Sequence, residues 1–377
     1  MSLSQHQESF EKIYSAHPLL AAISNCQFDE NGLAYKSKLH KNYWWWTFEN
    51  IYTLLDLREE DRLLNIGIGF GFDEKIFKSR LPHISLYGID IAPSMILGAL
   101  LNESPADMAV ATAEQLPFSS NTFARVVSRE VIEHVFDPVR FLSEIGRVTV
   151  LESRIVITTP NADSLALSHL LQKLHLSNLV FQQHHHKDEH MTTKDLEKLF
   201  SSSGFEVRER FFDCAGYFWL SSIYATPLKP LAFILAKLTR VLEGHDFLSK
   251  ALCDQVKYVL VRNNSGDKET QSVNEETIWA CPNCKSELTK HTDAYECASC
   301  HAIYSLLEGK SPVFTVNDLE QSPTDLNNVN KKPNIIIKLV ILFIYSLFYG
   351  AILLLGTGLA SLLGLLGRSP KPGLISE

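Results

Sequence analysis

The sequence lacks the features of a secreted or nucleic-acid-binding protein. Its first residues, Met-Ser-Leu-Ser-Gln-His-Gln-Glu, contain no basic start and no apolar run, so we expect no signal peptide. Basic side chains number 35 against 43 acidic ones, and the net charge of −8 argues against nucleic acid as a partner. The seven cysteines, three of them scattered singly, do not form the pattern of a disulfide framework. We therefore expect a protein of a reducing compartment whose main ligand is not nucleic acid.

Length and composition predict several parts in one chain. At 377 residues, 45% of them hydrophobic, the chain exceeds one small domain. The predicted divisions are a helical lead-in (1–42), a main domain (43–262), a linker (263–277), a four-cysteine module (278–315), a second linker (316–334), an apolar segment (335–368) and a tail (369–377).

Strand and helix patterns alternate along the main domain. Apolar runs predict strands at Leu63–Ile66, Ser85–Ile89, Met108–Ala111, Ala124–Ser128, Arg154–Thr159, Phe205–Phe211 and Gln255–Val261. This alternation predicts an α/β fold with a parallel-dominated sheet covered by helices on both faces. Ligands of such sheets bind at the carboxyl ends of the strands.

A glycine-rich turn follows the first predicted strand. Gly67, Gly69 and Gly71 can take positive φ and have no Cβ to block the approach of a nucleotide. The next strand ends at Asp90, about 20 residues later, where a ribose-binding carboxylate is expected. Together the two features predict a nucleotide-type cofactor site.

Further motifs carry a resemblance to a known family. In chain order the matching stretches are Asn65-Ile-Gly-Ile-Gly-Phe-Gly71, Gly88-Ile-Asp-Ile-Ala-Pro-Ser-Met95, Ala113-Glu-Gln-Leu-Pro-Phe118 and Ser128-Arg-Glu-Val-Ile-Glu-His-Val135. Through them the region 40–262 resembles class I S-adenosylmethionine-dependent methyltransferases, of the small-molecule type that includes the ubiquinone-biosynthesis O-methyltransferases. The resemblance implies a Rossmann-like, seven-stranded fold and methyl transfer to a small acceptor, at oxygen. The apolar segment described below would bring a lipid-linked acceptor within reach as well.

The resemblance also implies which residues contact the cofactor. The cofactor-binding residues that it implies are Asn65, Gly67, Gly69, Gly71, Asp90, Ile91, Ala113 and Glu114. The glycine loop would receive the methionine end of S-adenosylmethionine, Asp90 the two ribose hydroxyls, and Ala113–Glu114 the adenine.

The sequence departs from the family pattern at two positions. Asn65 stands where the family usually has Asp or Glu, and Thr112 where it often has Asp. Asn65 can hydrogen-bond the loop or the cofactor, but it supplies no negative charge. This departure supports one alternative, a weak or inactive membrane scaffold whose four-cysteine module binds a protein partner. A second alternative, a tRNA or protein methyltransferase, follows from the resemblance of that module described below.

Three polar residues follow the fourth predicted strand. Glu130, Glu133 and His134 share one face if they lie on a helical turn. The ubiquinone O-methyltransferases have this pattern, and the resemblance implies either a Mg²⁺ site at the three residues or a general base at His134 with Glu133 beside it. A purely structural turn is the third interpretation. For His184, His185, His186 and His190 we expect a loop over the active site rather than metal binding.

The four clustered cysteines form two Cys-x-x-Cys knuckles. Cys281, Cys284, Cys297 and Cys300 have the spacing of a tetrahedral, structural Zn²⁺ site. With the residues that follow, the module resembles the zinc ribbon of the small activator subunit of tRNA and protein methyltransferases. That activator is a separate chain, so a fused copy would either cover the methyltransferase domain, recruit a protein partner or serve stability alone.

An uncharged apolar run ends the chain. Leu339 to Gly367 contains no charged residue and would extend about 43 Å as a helix, enough for one tilted membrane span or a short hairpin. Lys331, Lys332 and Lys338 precede the run and favour the cytoplasmic side for the catalytic domain. We therefore expect a single-pass membrane protein in which the membrane span offers a second surface for a protein partner.

Overall fold

The computed structural model of the protein describes residues 50–164, 191–215, 249–251, 253–262 and 278–314. These residues fall into two compact units. The first comprises 50–159, 194–209, 258–262 and 278–314, and the second comprises 160–164, 191–193, 210–215, 249–251 and 253–257.

Strands and helices alternate through the main domain as the apolar pattern predicts. The strands are β1 (Arg62–Ile66), β2 (Ser85–Asp90), β3 (Asp107–Val110), β4 (Phe123–Arg129), β5 (Thr149–Pro160), β6 (Phe205–Ala215) and β7 (Cys253–Arg262). The helices are α1 (Phe72–Arg80), α2 (Pro93–Leu101), α3 (Pro138–Val148) and α4 (Thr193–Ser202), and residues 50–55 are helical as well.

The seven strands form one sheet in the order β3-β2-β1-β4-β5-β7-β6. The pairs β3–β2, β2–β1, β1–β4 and β4–β5 are parallel. The predicted Rossmann-like α/β fold with a seven-stranded sheet is thereby confirmed. Since β1 lies between β2 and β4, the loops that follow these three strands meet at one edge of the sheet.

Apolar side chains fix the helices on this half of the sheet. Phe77 of α1 and Ile96 of α2 are fully buried in one cluster with Val110 and Val127. Burying each such side chain contributes about 1.5–3 kcal/mol. At α3, the carboxylate of Asp137 accepts the backbone N–H of Arg140 at 3.0 Å and so caps the start of the helix.

The four-cysteine module contains a second, small sheet. Its strands are β8 (Leu288–Lys290), β9 (Ala294–Cys297), β10 (Ile303–Leu307) and β11 (Ser311–Pro312), in the order β11-β10-β9-β8. All three pairings are antiparallel. The module is therefore a ribbon with Cys297 at the end of β9 and the other three cysteines outside its strands.

Besides the two predicted linkers and the tail, three predicted features lie outside the described residues: the lead-in, the histidine-rich stretch around His184 and the apolar run at 339–367. Among the residues that the structure describes, no helix combines the length and the apolar character needed to cross a bilayer. The predictions for these three stretches stay predictions.

Candidate functional site

A cavity lies where β1, β2 and β4 end. Six of the eight residues predicted to bind the cofactor line it: Gly67, Gly69, Asp90, Ile91, Ala113 and Glu114. Glu130 and His134 line it as well. The parallel sheet thus brings together motifs from four separate loops, those after β1, β2, β3 and β4.

The glycine loop is held against β2 by its own backbone. The N–H groups of Gly67 and Ile68 both donate to the carbonyl of Ile89, at 2.8 and 2.9 Å. Gly67 has φ of 79°, and a Cβ there would lie 2.5 Å from Cγ2 of Val131. Only glycine fits this position without displacing its neighbour, because both the backbone angle and the space exclude a side chain.

Asp90 is oriented by two backbone amides. Its Oδ2 accepts the N–H of Gly69 and its Oδ1 accepts the N–H of Ala92, each at 3.0 Å. Each carboxylate oxygen carries two lone pairs and can accept more than one hydrogen bond. This arrangement fits a pair of neighbouring hydroxyls, such as those of a ribose.

Asn65 and Gly71 do not line the cavity. Gly71 instead begins α1, with φ of 65°. The side chain of Asn65 is buried, and its Nδ2 donates to Oε1 of Glu74 at 2.6 Å. Burial raises the pKa of Glu74 to about 8, and the neighbouring charge of Asp73 adds to the rise. A polar pair therefore replaces the single acid that the family usually has at this position.

Arg129 is a cavity residue that the sequence analysis missed. It ends β4, lines the cavity and forms an ion pair with the buried Asp73, with 2.5 Å between Nη1 and Oδ2. Its position at the carboxyl end of a predicted strand was the signal that could have identified it.

The wall of the cavity after β3 is fixed by short polar contacts. The hydroxyl of Thr112 donates to the carboxylate of Glu114, whose Oε1 also accepts the N–H of Phe136 at 2.7 Å. Thr112, at the second position that departs from the family pattern, thus holds Glu114 in the cavity wall.

Glu130, Glu133 and His134 lie on a turn rather than on a regular helical turn. Glu130 has φ of 54°, and its N–H donates to the carbonyl of Thr158 on β5 at 3.0 Å. Glu133 is buried, does not line the cavity, and accepts the hydroxyl of Thr159 at 3.1 Å. Burial raises the pKa of Glu133 well above its ordinary value, and Glu130 adds to the rise. Glu133 therefore keeps its proton in conditions where an exposed glutamate loses it.

The four cysteines converge as their spacing predicts. All four Sγ atoms lie within 4.8 Å of one another, with 3.6 Å between Cys281 and Cys300 and 3.3 Å between Cys284 and Cys297. Four thiolates at about 2.3 Å from a tetrahedral Zn²⁺ lie about 3.8 Å apart, so the donor set fits zinc. Hydrogen bonding by Ser286 lowers the pKa of Cys284 to about 6, which favours the thiolate that metal binding needs.

Comparison with known proteins identifies the domain. Residues 64–157 match the family described as a methyltransferase domain. A mitochondrial ubiquinone biosynthesis O-methyltransferase of Dictyostelium discoideum is 28% identical over 162 residues, which are 39% of this chain and 50% of that protein. A ubiquinone biosynthesis O-methyltransferase of Azorhizobium caulinodans is 28% identical over 156 residues, which are 39% of this chain and 60% of that protein. The chain thus spans 50% and 60% of the lengths of these two relatives.

Among solved structures, a similar chain comes from the complex between the Haloferax volcanii Trm112 methyltransferase activator and the putative methyltransferase. It is 16% identical, with a TM-score of 0.44, and the match covers 65% of this chain and 97% of that chain. The match of residues 64–157 to the methyltransferase domain family agrees with the sequence motifs.

Proposed function

We propose that this chain transfers a methyl group from S-adenosylmethionine to an oxygen atom of a small or lipid-linked acceptor. The observation that carries the proposal is the placement of Asp90 beside the glycine loop in one cavity. The match of residues 64–157 to the methyltransferase domain and the two ubiquinone O-methyltransferase relatives give further support.

Three groups of cavity residues would each bind a different part of the cofactor. The Asp90 carboxylate would accept both ribose hydroxyls, and Gly67 and Gly69 would allow the methionine end to lie against the backbone. Ala113 and Glu114 would border the adenine. When bound, S-adenosylmethionine supplies an electrophilic methyl group on a sulfonium, so the chain has to position the acceptor oxygen in line and remove its proton.

We assign proton removal to His134, which lines the cavity. A neutral imidazole accepts a proton near physiological pH, and Glu133 does not line the cavity. Glu133 would instead fix the turn that carries His134, through its hydrogen bond from Thr159. A Mg²⁺ ion at Glu130, Glu133 and His134 stays an alternative.

An inactive scaffold is the alternative that Asn65 supports. The hydrogen bond from Asn65 to Glu74 places a carboxyl group next to the position where the family has its acid. We therefore assign to Glu74 the carboxyl group that Asn65 lacks, and we favour an active enzyme.

We also propose that the apolar run at 339–367 anchors the enzyme in a membrane, with the catalytic domain on the cytoplasmic side. Its length and lack of charge support a span. A membrane anchor would raise the concentration of the enzyme at the surface where a lipid-linked acceptor resides.

The reaction is tested by incubating the purified full chain with methyl-labelled S-adenosylmethionine and lipid extracts of cells that lack the gene. The proposal predicts label in one extractable lipid class, and much less label with His134→Ala. Label in tRNA or protein fractions of the same cells, offered in parallel reactions, would instead favour the alternative substrates.

A further inference from the structure

We propose that the four-cysteine ribbon (residues 278–314) is a metal-dependent clamp on one wall of the cofactor cavity. Metal loading at the cysteines and cofactor binding in the cavity are then coupled. The inference rests on the proposed function, since the cavity is taken as the site of S-adenosylmethionine. It goes beyond that function by giving the ribbon a role within its own chain.

The wall in question is residues 111–119, between β3 and β4. Ala111, Ala113 and Glu114 of this wall segment line the cavity. The ribbon binds just before its start, where the N–H of Phe314 donates to the carbonyl of Val110 at 2.8 Å. Val313 also bridges to Val110 in parallel, so the end of the ribbon covers the edge strand β3.

The ribbon also binds the far end of the wall segment. The N–H of Ser119 donates to the carbonyl of Ile278, and the N–H of Ala280 donates to the carbonyl of Pro117, both at 2.9 Å. Both ends of the segment are thus hydrogen-bonded to the ribbon. A segment held at both ends has less conformational freedom to lose when a ligand binds.

An aromatic stack fills the space between these backbone contacts. Trp279 stacks on Phe118, with ring centroids 4.7 Å apart. Phe118 is fully buried and packs edge-on against Phe123 of β4 at 4.9 Å. The ribbon therefore contributes to the core of the methyltransferase domain rather than touching its surface.

A charged contact holds the middle of the wall segment. Nζ of Lys285 lies 2.8 Å from Oε2 of Glu144 on α3 and 3.3 Å from the carbonyl of Leu116. The same Glu144 oxygen accepts the N–H of Leu116 at 2.8 Å. Lys285 and Glu144 together thus bind both backbone polar groups of Leu116, two residues after Glu114.

The metal site fixes the residues that make these contacts. Lys285 directly follows Cys284, has φ of 63°, and donates its N–H to the carbonyl of Cys281 at 2.8 Å. On the other side, the Tyr304 hydroxyl lies 3.1 Å from Sγ of Cys281, and its ring packs on Phe314 at 5.1 Å. A module this short needs a metal ion or a disulfide to fold. Loss of metal therefore frees Lys285, Trp279 and Phe314 together from their contacts with the methyltransferase domain.

Coupling of this kind is reciprocal. If metal strengthens cofactor binding by some factor, the cofactor strengthens metal binding by the same factor. The test therefore has one readout at each site, and neither depends on turnover.

The experiment measures the affinity of the full chain for S-adenosylmethionine by calorimetry, with zinc content determined for every sample. Zinc-free protein is expected to bind about 10- to 100-fold more weakly than zinc-loaded protein. Lys285→Met, which keeps all four thiols, is expected to retain zinc and bind the cofactor about tenfold more weakly. Lys285→Arg restores binding, and Lys290→Met is the matched control, since Lys290 lies over the ring of Tyr295 within the ribbon.

At the metal site, a competition titration with a chelator is expected to show tighter zinc binding in the presence of S-adenosylmethionine. Equal cofactor affinity in zinc-free, Lys285→Met and wild-type protein would overturn the clamp and leave the proposed function intact. No cofactor binding by zinc-loaded wild-type protein would instead contradict the proposed function, and the clamp with it.

Discussion

The side-chain amide of Asn65 donates a hydrogen bond of 2.6 Å to Oε1 of Glu74, beneath the glycine loop. The side chain of Asn65 is neutral, and Glu74, in the first turn of α1, supplies the carboxyl group of the pair. Among the described residues, Oε2 of Glu74 and Oδ1 of Asn65 have no hydrogen-bond partner. The buried pair thus has two oxygen atoms that can form further hydrogen bonds, next to the glycine loop.

The first prediction concerns the pH dependence of stability. The pKa of Glu74 is about 8 in the folded chain against an ordinary value of 4.5, so between these values the folded state binds a proton that the unfolded state lacks. Stability contributed by Glu74 is therefore complete below pH 4.5 and is lost as the pH rises through 8. Glu74→Gln, which cannot ionise, is expected to show a smaller fall in Tm between pH 5.5 and 8.5 than wild type.

The control for this experiment is Glu60→Gln, which changes an exposed glutamate. It is expected to keep the wild-type slope of Tm against pH. If Glu74→Gln has that same slope, Glu74 does not carry the buried proton.

The second prediction separates the backbone cost of a side chain in the glycine loop from its steric cost. Gly67 and Gly69 both have positive φ, 79° and 55°, but only a Cβ on Gly67 meets a neighbour, Val131 at 2.5 Å. Gly69→Ala is expected to cost about 1–2 kcal/mol in free energy of unfolding, from the backbone alone. Gly67→Ala is expected to cost more, because it adds the steric conflict. Equal losses in denaturant unfolding would show that Val131 moves aside freely.

The third prediction concerns a buried ion pair in the second unit. Lys257 and Asp213 form a salt bridge with side chains only 1% and 5% exposed. Asp213→Ala is expected to lower the free energy of unfolding by about 3–5 kcal/mol, because it leaves a buried ammonium without its partner. Replacing both residues, by Asp213→Leu and Lys257→Met, is expected to recover most of that loss.

The exposed pair Arg208–Glu206 provides the comparison, with side chains 55% and 45% exposed. Glu206→Ala is expected to change stability by less than about 1 kcal/mol. Asp213→Ala with an equally small effect would mean that the buried charge is solvated or neutralised in another way.

The fourth prediction decides between His134 alone and a Mg²⁺ site. If His134 is the base and no Mg²⁺ is needed, methyl transfer by the zinc-loaded enzyme is expected to be unchanged after dialysis into magnesium-free buffer. In addition, kcat is expected to decrease as the pH drops below the pKa of the histidine, because the protonated imidazole cannot act as a base. Zinc content is measured throughout, so that loss of ribbon metal is not mistaken for loss of Mg²⁺. Activity that disappears on dialysis and returns with Mg²⁺ would assign Glu130, Glu133 and His134 to a metal.

The sequence predicts the parts of the site that the sheet itself brings together. Gly67 and Asp90 follow neighbouring parallel strands, so their meeting follows from topology and the alternation of apolar runs. The Asn65–Glu74 bond was not predicted, because a glutamate in a helical first turn is usually solvated, and its burial depends on how α1 packs. The contact between Lys285 and Glu144 joins positions far apart in the chain, and no local pattern encodes how a ribbon docks onto a sheet edge.

Binding of S-adenosylmethionine to the purified, zinc-loaded chain tests the central claim most directly. Calorimetry is expected to show one site per chain in wild type. Asp90→Asn is expected to weaken binding by about 100-fold, because it removes charge-assisted hydrogen bonds to the ribose. Asp195→Asn, an exposed position on α4, is expected to bind as wild type does. Wild-type protein that releases no heat of binding, or Asp90→Asn that binds with unchanged affinity, would contradict the assignment of this cavity to the cofactor.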